Sequence, residues 1–461
     1  MAANHSLWSE ASQRDGPWGK TRLALLTMRD TVGRFSEREG AQVPSVPLIP
    51  GLADEGVKAF RLGTHRLISP GETVEKVRRL LPQLGITRVA NITGLDRIGI
   101  PVTVACRPNS RALSVSQGKG LDLDAAKAST LMESIEFYHA ERITLPLKYL
   151  SYEELRHSHP VVDVAALPFV RETLFHPHLA LLWVEGYDLL QRESVWVPYE
   201  SVSTNFTLPF PPGSGCFQAT SNGLASGNHL LEAVSQAICE VVERDALSLM
   251  QLQGEEWLAE RRIDLDRVED PSCRQVIEKY ERADIAVAAW DITTEVGIPS
   301  FCCTITDHQD DPFHLTYTID GMGCHPSRTI ALLRALNEAA QSRLTMISGS
   351  RDNLSREDYQ RTQSSHMVER KRARFEVTGR RRSLLEVPNF EGESFYQDVV
   401  WELEQLHSAG ISRVAVVDLT KPEFGLPVVR VVIPGLEGTH LNPAYTPGAR
   451  GRTLLESGRR Q

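Results

Sequence analysis

The chain has 461 residues, 41% hydrophobic and 24% charged, with a formal net charge of −9. This is the composition of a globular protein with a sizeable core, and its negative balance gives no electrostatic reason to expect nucleic acid as a partner. Seven cysteines without a CxxC pair argue against a disulfide framework and a cysteine zinc site and fit a reducing cytoplasm, and no apolar run approaches the ~20 residues of a membrane span or forms a signal-peptide core.

Residues 1–54 are polar, with Pro44, Pro47 and Pro50 near their end. They read as a poorly ordered extension with a short helix around residues 21–35. Residues 73–84 predict a helix, with Thr73 as cap and Val74, Val77, Leu80 and Leu81 as its apolar stripe. A pattern then occurs three times. Residues 86–102 read ITRVANITGLDRIGIPV, residues 285–300 IAVAAWDITTEVGIPS and residues 411–428 ISRVAVVDLTKPEFGLPV. Each is a β-rich run ending in Thr, a short polar turn, Gly-Ile/Leu-Pro and a second β run, and each follows a helical segment. A recurring helix and β-hairpin predicts pseudo-repeated units, and their uneven spacing favours one large domain over a solenoid. A further strand pair is expected at residues 180–185 and 194–198, and a helix at residues 395–407. The fold class is therefore α/β (α+β), a single domain over residues 55–440. Residues 351–388 carry Arg370, Lys371, Arg372, Arg374 and Arg380–Arg382, and read as a basic, solvated loop insertion. Docking of an acidic peptide or partner is the second reading of that loop. Residues 441–461 read as a flexible tail.

Three predicted helices carry polar stripes opposite apolar faces. In residues 228–245, with Asn228 as expected cap, Glu232, Gln236, Glu240 and Glu243 share one face at ~100° per residue. Like charges at these spacings repel on a bare helix. Rows of carboxylate and amide oxygens suit hard divalent cations, which would relieve that repulsion. In residues 123–142, capped by Asp124, the shared face holds Ser129, Glu133 and Glu136. In residues 327–347, capped by Ser327, it holds Arg334, Glu338, Gln341 and Thr345. A solvated acidic face is the bland explanation of one stripe. Three stripes, two of them after glycine-rich loops, point to a shared polar site.

These residues also resemble the YcaO family. Ser129, Glu133 and Glu136 match its first ATP-site motif, SxxxExxE. Asn228, Glu232, Glu240, Glu243 and Arg244 match the second, and Arg334 and Glu338 the third. The front stretch, with GTHR at Gly63–Arg66 and SQGKG at Ser116–Gly120, is similar to the subgroup associated with TfuA-type partner proteins. The resemblance implies a YcaO-type domain with an internal ATP site and an enzyme that uses ATP and Mg²⁺ to O-phosphorylate a backbone amide of a ribosomally made peptide or a protein. With a sulfide donor and a TfuA-like partner the product is a thioamide. With a Cys, Ser or Thr nucleophile it is an azoline. The azoline branch often has a Pro-rich C-terminal tail, which the final ARGRTLLESGRRQ lacks. The implied roles are Glu133, Glu136, Glu240 and Glu243 on Mg²⁺, with Ser129, Asn228, Glu232, Arg334 and Glu338 holding nucleotide or completing the second shell. Arg244, with Glu243 and Arg334, is assigned to catalysis, Arg244 as the transition-state charge. Arg107, Ser114 and Lys119 are candidates to reach phosphates. The alternatives are an azoline-forming cyclodehydratase and a non-catalytic scaffold that docks a peptide. Neither nucleic acid nor membrane is expected as a partner, and a homodimer is left open. His229 and His325 read as structural, and Cys302, Cys303 and Cys324 as buried apolar side chains before sulfur carriers.

Overall fold

The computed structural model describes residues 48–307, 318–362, 364–376, 379–439 and 445–458. The helix expected around residues 21–35 lies outside them. The boundary of the extension needs correction, because Leu48 and Ile49 are buried in the core.

The chain opens with α1 (Pro70–Arg78), β1 (Arg88–Asn91), β2 (Val102–Cys106), β3 (Val115–Lys119) and α2 (Leu123–Ala140). Then come β4 (Leu147–Ser151), the short α3 (Tyr152–Arg156), β5 (Ala180–Asp188), β6 (Glu193–Pro198), β7 (Leu224–Ser226), the long α4 (Leu230–Leu252) and the short α5 (Glu255–Ala259). The next group is α6 (Pro271–Arg282), β8 (Ile285–Asp291), β9 (Ser300–Asp307), β10 (Ile319–Cys324) and α7 (Arg328–Ser348). It is followed by α8 (Arg356–Thr362), α9 (Ser365–Glu376), α10 (Phe395–Ser408), β11 (Ala415–Asp418), β12 (Val428–Val432) and α11 (Ala449–Gly458).

All three predicted hairpins form, as the antiparallel pairs β1–β2, β8–β9 and β11–β12. Each is preceded by its helix (α1, α6, α10), and each gains a third antiparallel strand (β3, β10, β7). In two units the third strand runs directly into a stripe helix: β3 into α2 and β10 into α7. The last unit is permuted. Its third strand and stripe helix, β7 and α4, precede its hairpin in sequence, so the unit closes only when β12 pairs with β7 at Val429–Ala225. The expected β5–β6 pair forms, and with β4 it extends this unit into a six-stranded sheet.

Each helix lies close on its strand, and glycine makes that approach possible. A Cβ on Gly118 of β3 would come within 2.1 Å of the Thr130 nitrogen of α2, and one on Gly321 of β10 within 2.1 Å of the Ala339 nitrogen of α7. The opposite faces of the helices are apolar: Leu131 and Ile135 of α2, Val234, Ile238 and Val242 of α4, and Leu332 and Leu336 of α7 are all buried.

Three caps differ from expectation. Ser69 caps α1 in a capping box with Glu72, with Pro70 as the first helical residue, so Thr73 lies a turn inside. Asp122, not Asp124, caps α2, and His229, not Asn228, caps α4, its Nδ1 accepting from the Leu231 N–H. A cap must sit on extended backbone, and that position is set by where the preceding strand ends.

The basic insertion is not a solvated loop at its described positions. It holds α8 and α9, and its cations meet acids of the domain. Arg370 and Arg374 both bond Glu255, Lys371 lies 2.8 Å from Asp320 and Arg381 3.0 Å from Asp266. The tail read as flexible is helical at α11 and docks on α4. The Glu437 carboxylate accepts from the Gly448 and Gly451 N–H groups and the Tyr445 hydroxyl, and Arg450 lies 2.9 Å from buried Asp245.

Gly321→Ala is expected to destabilise the protein by about 3 kcal/mol, since strand or helix must retreat around the added methyl. Gly94→Ala, with nothing near its Cβ, should cost less than about 0.5 kcal/mol. Urea unfolding of the two variants, compared at equal m-value, checks the difference.

Candidate active site

The three stripe helices turn their polar faces to one cavity of about 420 Å³. From α2 come Ser129, Glu133 and Glu136. From α4 and the loop before it come Asn228, Glu232, Gln236, Glu240, Glu243 and Arg244. From α7 come Arg334, Glu338, Gln341 and Thr345, and from β3 comes Lys119. Residues from four separate stretches of chain are thus brought together as the periodicity predicts. Arg107 and Ser114 are not among them.

Strand backbones hold the α2 carboxylates in place. Glu133 Oε2 accepts the Gln117 N–H at 2.6 Å, and Glu136 Oε1 accepts the Ser226 N–H at 2.9 Å and its hydroxyl at 2.8 Å. Across the cavity Arg244 stands 3.7 Å from Glu243 and 4.0 Å from Glu240. Lys119 Nζ lies 2.6 Å from Glu338, which also accepts the Met322 N–H. Arg334 is anchored by donating to the Cys324 carbonyl at 2.8 Å. Glu232 is already filled, accepting from Arg66, from the Leu67 N–H and from the Asn228 N–H. It therefore clasps the loop before α1 rather than standing free.

Burial dominates the electrostatics. It pushes Glu136 up to about 8, aided by the charges of Glu133 and Glu240. It pushes Glu240 up to about 7 against the opposing pull of Arg244. Glu133 and Glu243 are raised for the same reason. Glu338 would also rise on burial, but Lys119 and Arg244 hold it below its ordinary value. Four carboxamide oxygens on the lining, those of Asn228, Gln236, Asn337 and Gln341, are buried without a partner among the described residues. Crowded carboxylates and unmatched amide oxygens are a donor set that fits a hard divalent cation and the hydrogen-bonding edge of a nucleotide.

Arg107 and Ser114 need correction. Arg107 is buried, bonding Glu141 at 2.8 Å, Ser110 and the Ser134 carbonyl, so its charge is spent inside the fold. The Ser114 N–H instead reaches Asp352. Sequence reasoning missed Arg66, Thr73, Gln117, Asn337 and Arg351 on the lining. Arg66 lies in the quoted GTHR, but nothing local tells that it meets Glu232.

His229 and His325 are structural. His325 Nδ1 accepts the Ser327 N–H, and its ring packs edge-on against His65. His65, His325 and Asp398 cluster as three metal ligands would. However, the Lys58 ammonium lies 2.6 Å from Asp398 and serves as the cation there. Cys302, Cys303 and Cys324 are buried and none lines the cavity. Burial pushes the first two thiols upward, away from the reactive thiolate.

A sequence model described as YcaO cyclodehydratase, ATP- and Mg²⁺-binding, matches residues 117–437. The chain belongs to the YcaO family. It is 38% identical over 381 residues to an uncharacterized protein in the tfuA 3′ region of Rhizobium leguminosarum bv. trifolii, covering 81% of this chain and 88% of that protein. The structure of YcaO from Methanopyrus kandleri bound with AMPPCP and Mg²⁺ superposes with a TM-score of 0.67 at 24% identity, covering 85% of this chain and 98% of that one. A heterocyclase in complex with substrate and cofactor superposes with a TM-score of 0.69 at 23% identity. The match covers 85% of this chain but only 55% of the heterocyclase. At these identities the two structures establish the YcaO fold, and the family model establishes an ATP- and Mg²⁺-binding domain. Among the described residues no helix is long and apolar enough to cross a membrane.

The raised carboxylates set a pH dependence. Glu136 and Glu240 bind protons in the folded state well above their ordinary value of 4.5. Stability from their protonated forms is therefore complete below that value and is lost as pH rises through about 7 to 8. The melting temperature without metal should fall between about pH 5 and about pH 8, and, on the expectation that these carboxylates hold the ion, Mg²⁺ affinity should rise over the same window. Thermal melts with and without Mg²⁺ across that range check both signs.

Proposed function

We propose that the protein is an ATP-dependent enzyme that converts a peptide backbone amide into a thioamide, with a TfuA-like partner and a sulfide source. The single observation that carries the enzyme reading is the cavity into which three helices bring Glu133, Glu136, Glu240, Glu243 and Glu338 with Arg244 and Arg334, and β3 brings Lys119. A docking scaffold has no use for so many raised carboxylates. The sulfur-inserting branch is favoured by the likeness to a protein in a tfuA 3′ region.

Glu133, Glu136, Glu240 and Glu243 are the Mg²⁺ ligands in this reading, and the ion supplies neutralisation of phosphate charge. Ser129, Asn228, Lys119, Arg334 and Glu338 hold the nucleotide, joined by Arg66. Arg244, kept in place by Glu240 and Glu243, faces charge developing on the transferred phosphoryl group. In the reaction hydrosulfide adds to the carbonyl carbon, and the oxygen that this addition charges bonds the γ-phosphorus as the bond to ADP breaks. The oxygen then departs on phosphate as the thioamide forms. The chain's contribution is positioning and charge, which is what phosphoryl transfer requires. Cys302, Cys303 and Cys324 take no part, so sulfide comes from outside this chain.

Mg·ATP should raise the melting temperature of the wild-type protein, by the equivalent of about 2.7 kcal/mol at a hundredfold excess over Kd. Glu240→Gln should fold normally and lose that rise. An equal rise in both proteins would move the nucleotide elsewhere.

The chemistry is read by mass spectrometry of the polypeptide substrate after incubation with the TfuA-like partner, Mg·ATP and sulfide. The product should gain the mass difference between sulfur and oxygen, with one phosphate released per modification. Loss of one water would replace the thioamide reading with azoline formation. ATP turnover with no change in polypeptide would refute both.

A further inference from the structure

Arg430 of β12 is 2% exposed, and the only hydrogen bond of its side chain among the described residues is from Nη2 to the Thr220 carbonyl at 2.7 Å. Its Nε and Nη1 are buried without a partner, and no carboxylate among the described residues forms an ion pair with it. A buried cation left this way is expensive to keep. It lines a small cavity of about 50 Å³ with Gln218, Thr220, Asn222 and Val241. Both side-chain polar atoms of Gln218, itself 7% exposed, and Oδ1 of Asn222 are also buried and unpartnered. The Gln218 carboxamide lies against Gly438, where a Cβ would fall 2.5 Å from Oε1.

This cavity and the carboxylate cavity share their walls. The stretch that runs through β7 into α4 gives Asn222 to one and Ser226 and Asn228 to the other, and α4 gives Val241 to one and Glu240 to the other. Burial lowers Arg430 to about 10, and the carboxylate that opposes this is Glu240.

The unmatched atoms are of two kinds. Arg430 Nε, Arg430 Nη1 and Gln218 Nε2 are donors, whereas Gln218 Oε1 and Asn222 Oδ1 are acceptors. An anion would satisfy the donors and face the acceptors unfavourably. A peptide group carries one acceptor and one donor and satisfies both. We propose that the Arg430, Gln218 and Asn222 cavity is a subsite for a backbone peptide group of the polypeptide substrate, next to the group that reacts. Its carbonyl accepts from Arg430 and Gln218, and its N–H donates to Asn222. The subsite rests on the proposed function, extending it from the nucleotide side to the polypeptide side. It recognises backbone and so tolerates varied side chains, and Arg430 and Asn222 act as positioning residues.

The test uses the full chain with Mg·AMPPCP and the generic diamide N-acetylglycine N-methylamide, titrated by ligand-observed NMR against wild type, Gln218→Leu and Arg430→Met. Each substitution should weaken diamide binding about tenfold, the effect of one lost buried hydrogen-bonding partner. Inorganic phosphate should not compete. Arg430→Met should melt no lower than wild type, because it removes a buried unpaired charge. Equal diamide binding by all three proteins, displacement by phosphate, or a crystal structure of the soaked protein with only ordered water in the cavity would each overturn the subsite. An Arg430→Met variant that melts lower and binds the diamide as wild type does would make Arg430 purely structural. Mg·AMPPCP binding by wild type reports separately on the proposed function. If the nucleotide binds and the diamide results fail, the subsite alone is lost.

Discussion

Like charge in a confined space is the constraint on which this structure depends. Glu133, Glu136, Glu240, Glu243 and Glu338 share one cavity, whose lining also holds the basic side chains Arg66, Lys119, Arg244, Arg334 and Arg351. Burial and mutual repulsion push four of the five acids toward the protonated form, and only Glu338, beside Lys119, is held ionised. Such a cluster lowers the stability of the fold that contains it, and it persists because rigid elements over-determine the position of each carboxylate. The backbone N–H groups of Gln117 and Ser226 pin the α2 acids, and packed apolar faces prevent the helices from turning away. The missing positive charge is left for a ligand.

That rigidity comes from repetition. Three sheets each lay a stripe helix against their third strand, at a separation too small for a side chain at Gly118 or Gly321. The last unit is built from two distant parts of the chain, so α4, which contributes Glu240, Glu243 and Arg244, is seated only when β12 pairs with β7. The same closure places Arg430 beside the loop that leads into α4. It also brings Glu437 and Arg450 onto Asp245, the residue after Arg244. The carboxylate cavity and the C-terminal segment are therefore parts of one packed unit.

Much of the site was legible because its information is local. A 3.6-residue period places Glu133 with Glu136, and Glu240 with Glu243, whatever surrounds the helix. The Gly-Ile/Leu-Pro turns mark hairpins by their own backbone demands. Failures occurred where a residue's meaning lies in a distant partner. Arg107 resembles a phosphate ligand until Glu141, on the end of α2, takes its charge. Arg370 and Arg374 suggest a solvated basic face until both meet Glu255 of α5. The tail, rich in arginine, looked loose until Glu437 and Asp245 received it.

By itself the sequence determined the elements, the three hairpin units and the carboxylate set, because each is written within one or two turns of helix or one hairpin. The tertiary structure alone decided which charges are spent inside the fold and which face the cavity. It also decided that the third unit is assembled from two distant stretches of the chain, and that Arg66, Gln218 and Arg430 stand beside the carboxylate helices. The energy of a charge or a hydrogen-bonding group depends on burial and on partners brought close by long-range packing, and neither is encoded in its immediate neighbours along the chain.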